Sequence, residues 1–175
     1  MCYDGLAEYR IIPTETFKIM RKCAGCGCKQ IFSSKNHFRV NANGNLLDVW
    51  LIYGCEKCGY TYNLPVYERI RKSKIPQQEY NQFLANDKEK IFEIGTSKAV
   101  FIRNKAEIAW DLAEYQLAPV VEKALDEIKN NILIQIHNPY HVPVRTDKAV
   151  ADILRISRSE AKKLLANGNI SASIE

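Results

Sequence analysis

The sequence predicts an α+β protein with an antiparallel sheet near its N-terminus, a mixed middle region and a pair of helices at its C-terminus. The first third alternates apolar and polar residues around an Asn-Gly dipeptide, a pattern typical of a β-hairpin. Apolar residues near the C-terminus instead recur at helical spacing. We therefore place three regions at residues 1–75, 76–143 and 144–175.

Composition excludes several classes of protein. The chain has 175 residues, of which 46% are apolar and 26% charged, so it can bury a core and is not disordered throughout. No apolar run approaches the ~20 residues that cross a bilayer. Residues 1–5 lack the basic segment and apolar core of a secretory signal. We expect a cytoplasmic protein without membrane contact, whose cysteines are available for metal binding rather than disulfides.

The net charge of +5 is unevenly distributed. Residues 1–75 carry 12 basic and 6 acidic side chains, and residues 144–175 carry 6 and 4. Residues 76–143 carry 7 basic and 10 acidic side chains. A polyanionic partner would therefore meet the two ends of the chain rather than its middle.

The first region contains four expected strands. Residues 17–21 alternate as a half-buried strand, and residues 38–40 lead through Asn43-Gly44 to a strand over residues 47–53. We expect both Asn43 and Gly44 to occupy the turn with positive φ. Apolar side chains on both faces of residues 47–53 indicate a central strand. Residues 60–64 form another strand, and the following Pro65 indicates a sheet edge or a strand end.

The middle region changes to helical spacing. Pro76 fits the first turn of a helix whose apolar face comprises Tyr80, Phe83 and Leu84, and residues 87–93 form a second short helix.

The pattern of residues 96–118 is ambiguous. Pro119 can open a helix over residues 120–128. Residues 132–136 alternate as a strand, and residues 137–143 form a loop with two prolines.

The main chemical signal is a pair of Cys-x-x-Cys-Gly segments, Cys23 with Cys26 and Cys55 with Cys58. A two-residue spacer lets both thiolates of a tight turn face one ion, and the glycine lets the backbone turn back. The hairpin between the segments returns the second to the first. The pattern resembles a zinc ribbon, and it predicts a closed, structural Zn²⁺ site with four thiolate ligands.

Other interpretations of the cysteines are an iron centre, a dithiol redox pair, or thiols that only pack. Cys28 is an additional nearby thiol, which we interpret as a spare or substitute ligand because a one-residue spacer makes a poor turn. We assign no metal role to Cys2, and we interpret His37 as a surface residue.

The C-terminal region reads as two short helices. Val150, Ile153 and Leu154 form the apolar stripe of the first, and Ser157 with Glu160 forms a capping box for the second. Gly168 ends the second helix. The basic side chains that we expect on the outer surface are Arg145, Lys148, Arg155, Arg158, Lys162 and Lys163.

This region resembles the small RNA-binding domain named after ribosomal protein S-four. The residues that match in order are Arg145, Asp147, Lys148, Ser157, Arg158, Ser159, Ala161, Lys162, Leu164 and Gly168. The resemblance covers about thirty residues. It implies a helix pair whose basic face contacts structured RNA. The chain departs from the family pattern after Gly168, which indicates a truncated unit, and such a unit can keep the fold without the RNA surface.

The chain as a whole resembles a bacterial family known as domain of unknown function ten-sixty-two. The resemblance rests on the first Cys-x-x-Cys-Gly, on residues 38–42, on the Leu-Leu-Asp-Val-Trp-Leu-Ile-Tyr strand at residues 46–53, on the second Cys-x-x-Cys, and on the C-terminal helix pair. It implies a bacterial cytosolic protein and brings no established activity.

Two further groups of residues invite a functional interpretation. Arg69, Arg71, Lys72 and Lys74 could touch phosphate, but a solvated connector is the ordinary interpretation of such a cluster. Tyr60, Tyr62 and Tyr67 could stack on bases, although alternating tyrosines on a small sheet more often pack.

The sequence favours a non-catalytic protein that binds structured RNA, for example on the ribosome, through its basic helix pair. The alternative is a protein–protein adaptor in which the zinc ribbon and the acidic middle contact a partner. No phosphate-binding glycine-rich loop, Gly-x-Ser-x-Gly or His-Glu-x-x-His motif is present, so no residue set argues for an enzyme.

Overall fold

The computed structural model of the chain describes residues 5–120 and 132–175. It divides into two units. The cysteine unit is Glu15–Ala113, and the helix-pair unit joins Met1–Thr14 to Glu114–Glu175.

The strands, numbered along the described chain, are β1 (Gly5–Pro13), β2 (Ile19–Lys22), β3 (Lys29–Asn43), β4 (Leu46–Cys55), β5 (Thr61–Arg71), β6 (Glu107–Ile108), β7 (Tyr115–Pro119), β8 (Ile132–His137) and β9 (Ile170–Ile174). The α-helices are α1 (Gln77–Ala85), α2 (Lys88–Gly95), α3 (Lys98–Arg103), α4 (Thr146–Leu154) and α5 (Arg158–Ala166). Short 3₁₀ turns cover Lys72–Lys74 and Trp110–Leu112. The mixture of sheets and helices confirms the predicted α+β class.

The cysteine unit is built on an antiparallel sheet with strand order β5-β4-β3-β2-β6. The predicted hairpin is confirmed as β3 and β4, but its turn lies one residue later than expected. Asn43 pairs with Leu46, so Gly44 and Asn45 form the turn. Of these two, only Gly44 has positive φ, at 59°. A glycine at the first turn position suits a type II′ hairpin, so the expectation of two positive-φ residues at Asn43 and Gly44 is wrong.

The positions of β4 and β5 confirm two further predictions. Strand β4 is central, between β3 and β5, which explains the apolar side chains on both of its faces. Strand β5 is an edge strand and contains Pro65, whose missing N–H is tolerated there. It extends to Arg71, beyond the expected end at Leu64, through irregularities in its register with β4.

Aromatic rings contact one another in the core of the cysteine unit. The ring of Phe83 meets Phe38 edge-on at 4.9 Å between centroids and Tyr67 at 6.0 Å. The two predicted helices are confirmed as α1 and α2, and the Asp87 side chain caps α2 by accepting the Lys90 N–H at 2.8 Å. The predicted inward position of Leu84 is wrong, since this side chain is 54% exposed.

The helix-pair unit contains a second sheet, with strand order β7-β1-β8-β9. Strand β1 is antiparallel to β7 and parallel to β8, and β8 is parallel to β9. Helices α4 and α5 pack against each other and against β9. The predicted strand at residues 132–136 and the loop after it are confirmed. The predicted helix at residues 120–128 falls almost entirely on residues 121–131, outside the described residues.

Long-range strand pairing divides the chain at Thr14 and Glu114. The region boundaries expected from the sequence, after residues 75 and 143, were based on local composition and differ from this division. Residues 76–113 belong to the cysteine unit because β6 pairs with β2, and β1 belongs with the C-terminal half because it pairs with β7 and β8. Among the described residues, no helix has the length and apolar character needed to cross a membrane.

Replacing Phe83 by alanine tests this core. Phe83 is 1% exposed, so Phe83→Ala should lower the free energy of unfolding of the cysteine unit by about 3–5 kcal/mol. Both tryptophans of the chain, Trp50 and Trp110, lie in this unit and report its unfolding by fluorescence. The neighbouring Leu84→Ala is the control and should change stability by less than about 0.5 kcal/mol. Equal losses in both variants would contradict the packing described here.

Candidate functional site

The first Cys-x-x-Cys segment is a tight turn between β2 and β3. The Gly27 N–H donates to the Cys23 carbonyl at 2.9 Å, and the Cys23 N–H donates to the Cys28 carbonyl at 2.9 Å. Gly27 adopts a φ of 73°, which glycine reaches without steric cost. The turn therefore folds back on itself, as the spacing predicts.

The second segment repeats this geometry between β4 and β5. The Gly59 N–H donates to the Cys55 carbonyl at 2.8 Å, and the Cys55 N–H donates to the Tyr60 carbonyl at 2.9 Å. Gly59 has a φ of 75°. The β3–β4 ladder brings the two turns together, because Phe32 of β3 pairs directly with Cys55.

Four sulfur atoms converge where the two turns meet. The Sγ atoms of Cys23, Cys26, Cys55 and Cys58 all lie within 4.8 Å of one another. The Cys23–Cys58 sulfurs are 3.5 Å apart and the Cys26–Cys55 sulfurs 3.9 Å. Zinc–thiolate bonds of about 2.3 Å in a tetrahedron place the sulfurs about 3.8 Å apart. The four cysteines therefore fit a tetrahedral metal ion, and the arrangement is compatible with a structural zinc site.

The thiols differ in acidity. Hydrogen bonding with the Cys58 thiol, together with desolvation, raises the pKa of Cys26 to about 12. Desolvation also opposes ionisation of Cys55, but the backbone amides of Cys58 and Lys57 donate to its sulfur and lower its pKa to about 7. Metal ligation requires thiolates, so binding of a metal ion at this site would release protons.

The other candidate ligands lie apart from this cluster. Cys28 is exposed, and its sulfur accepts a hydrogen bond from the Gln30 side-chain amide at 3.1 Å. His37 is exposed, with Nδ1 3.2 Å from the Lys35 carbonyl oxygen. Cys2 lies outside the described residues. Neither Cys28 nor His37 is needed to complete the tetrahedron.

In the helix-pair unit, α4 and α5 form the predicted hairpin of helices. The Ser157 side chain accepts the Glu160 N–H at 3.2 Å, which confirms that Ser157 caps α5. Gly168 follows the end of α5 with a φ of 74°.

A buried carboxylate organises the basic residues of this hairpin. Asp147 is 9% exposed. It accepts hydrogen bonds from Nε of Arg158 at 2.7 Å and from Nε of Arg145 at 3.2 Å. The Lys162 ammonium lies 3.8 Å from the same carboxylate. The hydrogen bond from Arg158, with the charge and hydrogen bond of Arg145, holds the pKa of Asp147 below its ordinary value.

The six predicted basic residues thus fall into two groups, and all six are exposed. Arg145, Arg158 and Lys162 are gathered around Asp147. Of the others, Lys148 lies over the ring of Tyr115 at 5.3 Å. Arg155 has a left-handed backbone (φ 55°) at the end of α4. The side chains of Arg155 and Lys163 make no hydrogen bond or ion pair with another described residue.

The sequence pattern gives Asp147 no role of its own. The only sequence feature that includes Asp147 is the Arg-x-Asp-Lys pattern shared with the S-four domain, where it is one of the matching residues. Burial of this carboxylate depends on how α4 packs against α5, and local spacing does not show that packing.

The family model described as protein of unknown function (DUF1062) matches residues 40–175. The chain belongs to this family. The matched residues include Cys55, Cys58 and the helix pair, whereas Cys23 and Cys26 precede them. No curated protein and no solved structure shows significant similarity to the chain. The likeness of the helix pair to the S-four domain and the bacterial origin stay predictions.

Metal content should follow the four converging cysteines. We expect the reduced wild-type protein to hold one metal ion per chain and Cys26→Ser to lose it, since a serine hydroxyl is a poor replacement for a soft thiolate. Elemental analysis of gel-filtered protein measures this. The control Cys28→Ser should keep the full metal content, and a loss there as large as in Cys26→Ser would contradict the ligand assignment.

The stability of the helix pair should fall in acid through Asp147. Its pKa is lowered by folding from 3.8, so its contribution is complete above pH 3.8 and is lost as the pH falls below that value. Amide hydrogen exchange of residues 146–166, corrected for intrinsic rates, measures this protection. At pH 6 the amides of Asp147→Asn should be less protected from exchange than those of the wild type. Acidification should then reduce this protection by less in Asp147→Asn than in the wild type.

Asp152 offers a matched control on the same helix, because it is exposed and has no described hydrogen bond or ion pair. Asp152→Asn should keep the wild-type acid profile. The account of Asp147 fails if Asp147→Asn and Asp152→Asn behave alike.

Proposed function

We propose that the chain is a non-catalytic zinc-binding protein of the cytoplasm that binds structured RNA through the basic face of its helix pair. Two independent features support this proposal. One is the set of four cysteines in the cysteine unit, and the other is the cation cluster around Asp147 in the helix-pair unit.

The ligand chemistry favours zinc. Four thiolates in a tetrahedral arrangement are the usual ligands of structural zinc, and iron is the competing metal for such a set. Four protein ligands leave no open position for water or substrate, so the ion would stabilise the fold rather than catalyse a reaction. Elemental analysis distinguishes zinc from iron.

The observation that carries the RNA proposal is that three cations, one at the start of α4 and two in α5, surround one carboxylate. Arg145, Arg158 and Lys162 bring three positive charges to Asp147, which supplies one negative charge. These side chains stay 70%, 47% and 59% exposed, so their remaining donors face solvent. A guanidinium group that is held in place by a buried carboxylate can donate its remaining N–H groups to the oxygens of a phosphate.

The helix pair carries three further exposed cations. Lys148, Arg155 and Lys163 are exposed on the same two helices and on the turn between them. Phosphate contacts of this kind dominate the affinity for RNA duplexes, whose deep major groove hides the base edges from side chains.

The contacts of Asp147 determine which variants can test the proposal. Substituting Arg158 or Lys162 removes a partner of a buried carboxylate and would disturb the fold as well as the surface. Arg155 and Lys163 have no such partner, so the double variant Arg155→Gln with Lys163→Gln removes two charges without this effect.

This double variant should bind a short RNA hairpin more weakly than the wild type. The slope of log affinity against log salt should become less steep by about one unit for each phosphate that the protein no longer neutralises. Fluorescence anisotropy over a series of salt concentrations measures it, and the zinc content should not change.

The matched control is Lys88→Gln with Lys98→Gln, two exposed lysines of the cysteine unit. It removes the same charge and should keep the wild-type slope. Equal slopes in both double variants, or no RNA binding by the wild type, would contradict the proposal, and the second result would favour a protein–protein adaptor.

A further inference from the structure

A second basic surface lies in the cysteine unit, beside the metal centre. It is a depression of about 380 Å³ at the start of β5, which we call the Tyr60 depression. Its lining includes three cations and three aromatic rings, Arg21, Lys22, Arg39, Phe32, Tyr60 and Tyr62, and none of its lining residues is acidic. Its size is that of a small-molecule site, which can hold one nucleotide.

The two cysteine turns hold Tyr60 in place. Its carbonyl oxygen accepts the Cys55 N–H at 2.9 Å, and a side chain at Gly25 would begin 3.5 Å from its Cβ. The Tyr60 side chain is nevertheless 50% exposed. A large aromatic residue that is fixed at its backbone and open to solvent presents a flat face at little entropic cost.

The neighbouring cation is also held in a fixed position. The Arg21 guanidinium carbon lies 3.3 Å from the centroid of the Tyr62 ring and 5.9 Å from that of Phe32. Stacking of this kind fixes the plane of the guanidinium group. Arg39 and Lys22 are exposed, and their side chains have no hydrogen bond or ion pair with another described residue.

Tyr60, just before β5, and Tyr62 and Tyr67, within β5, have different surroundings. The Tyr67 hydroxyl lies 3.3 Å from a Glu79 carboxylate oxygen, and its ring packs on Phe83, so both its hydroxyl and its ring have partners within the unit. Tyr62 lies under Arg21. Tyr60 is the one among them that is half exposed.

We propose that the Tyr60 depression binds single-stranded nucleic acid, with one base stacked on Tyr60 and the adjoining phosphates on Arg39 and Lys22. A positive surface without acidic residues matches the charge of a phosphate backbone. An exposed aromatic ring inside such a surface accepts any base by its face, which is the usual way in which proteins bind single strands. The bases of a duplex are already stacked on each other and cannot reach the ring.

This proposal is independent of the helix pair. It concerns residues of the cysteine unit and an unpaired strand, whereas the helix pair is proposed to bind structured RNA. The two surfaces can therefore be tested with different variants and different probes.

The test is binding of fluorescently labelled oligonucleotides, one of RNA and one of DNA with the same unstructured sequence, to the metal-loaded full chain. Tyr60→Ala should weaken binding about 5- to 150-fold, the loss expected for one stacked base. Tyr60→Phe keeps the ring and should keep most of the affinity. Arg39→Gln should make the salt dependence less steep by about one unit, and its control Lys88→Gln should leave it unchanged.

Metal content is measured for every variant. If Tyr60→Ala loses the ion, Arg39→Gln and Tyr60→Phe, which leave the cysteine turns intact, decide the result. The proposal is overturned if the wild type binds neither oligonucleotide, if Tyr60→Phe loses as much affinity as Tyr60→Ala, or if Arg39→Gln and Lys88→Gln show the same salt dependence. Tighter binding of the RNA strand would support recognition of the 2′-hydroxyl within the same site, and equal binding would support stacking alone.

Discussion

The four cysteine sulfurs of the cysteine unit converge, and the arrangement of the two tight turns that carry them depends on this convergence. Two tight turns far apart in the sequence meet because the β3–β4 hairpin returns the second turn to the first. Four thiols so close together repel one another when ionised, so the arrangement is stable as a cluster of thiolates only around a cation. The same turns hold Tyr60, so the geometry of the four-cysteine cluster also determines the position of this residue in the basic depression beside it.

In the helix-pair unit, a buried carboxylate gathers side chains from separate helices around one point. Asp147 is a buried charge, and such a charge is tolerated because it is paired and hydrogen-bonded. Its partners are cations that the sequence alone would suggest are free surface charges. Their pairing leaves a net positive cluster of defined geometry, and it also means that substituting one of them changes the fold and the surface together.

Local patterns predicted much of this chain because they reflect local physics. The glycine after each Cys-x-x-Cys and the capping Ser157 act within a few residues, and the structure has each where it was expected. The pairing of β1 with β8 joins segments that are far apart in the sequence, such as Gly5 and Ile132. Neither hydrophobic periodicity nor local composition indicates which distant strands pair. The division into two units therefore could not be predicted from the sequence. The burial of Asp147 and the exposure of Leu84 likewise depend on packing between elements.

Removal of the metal is the decisive experiment on the role of the four cysteines. A chelator is added to the reduced protein, and unfolding of the cysteine unit is followed by the fluorescence of Trp50 and Trp110, both of which lie in that unit. If the four cysteines hold a structural ion, its loss lowers the unfolding midpoint of this unit, because a metal that binds only the folded state stabilises it. An unchanged midpoint after elemental analysis has shown complete removal of the metal would contradict the account.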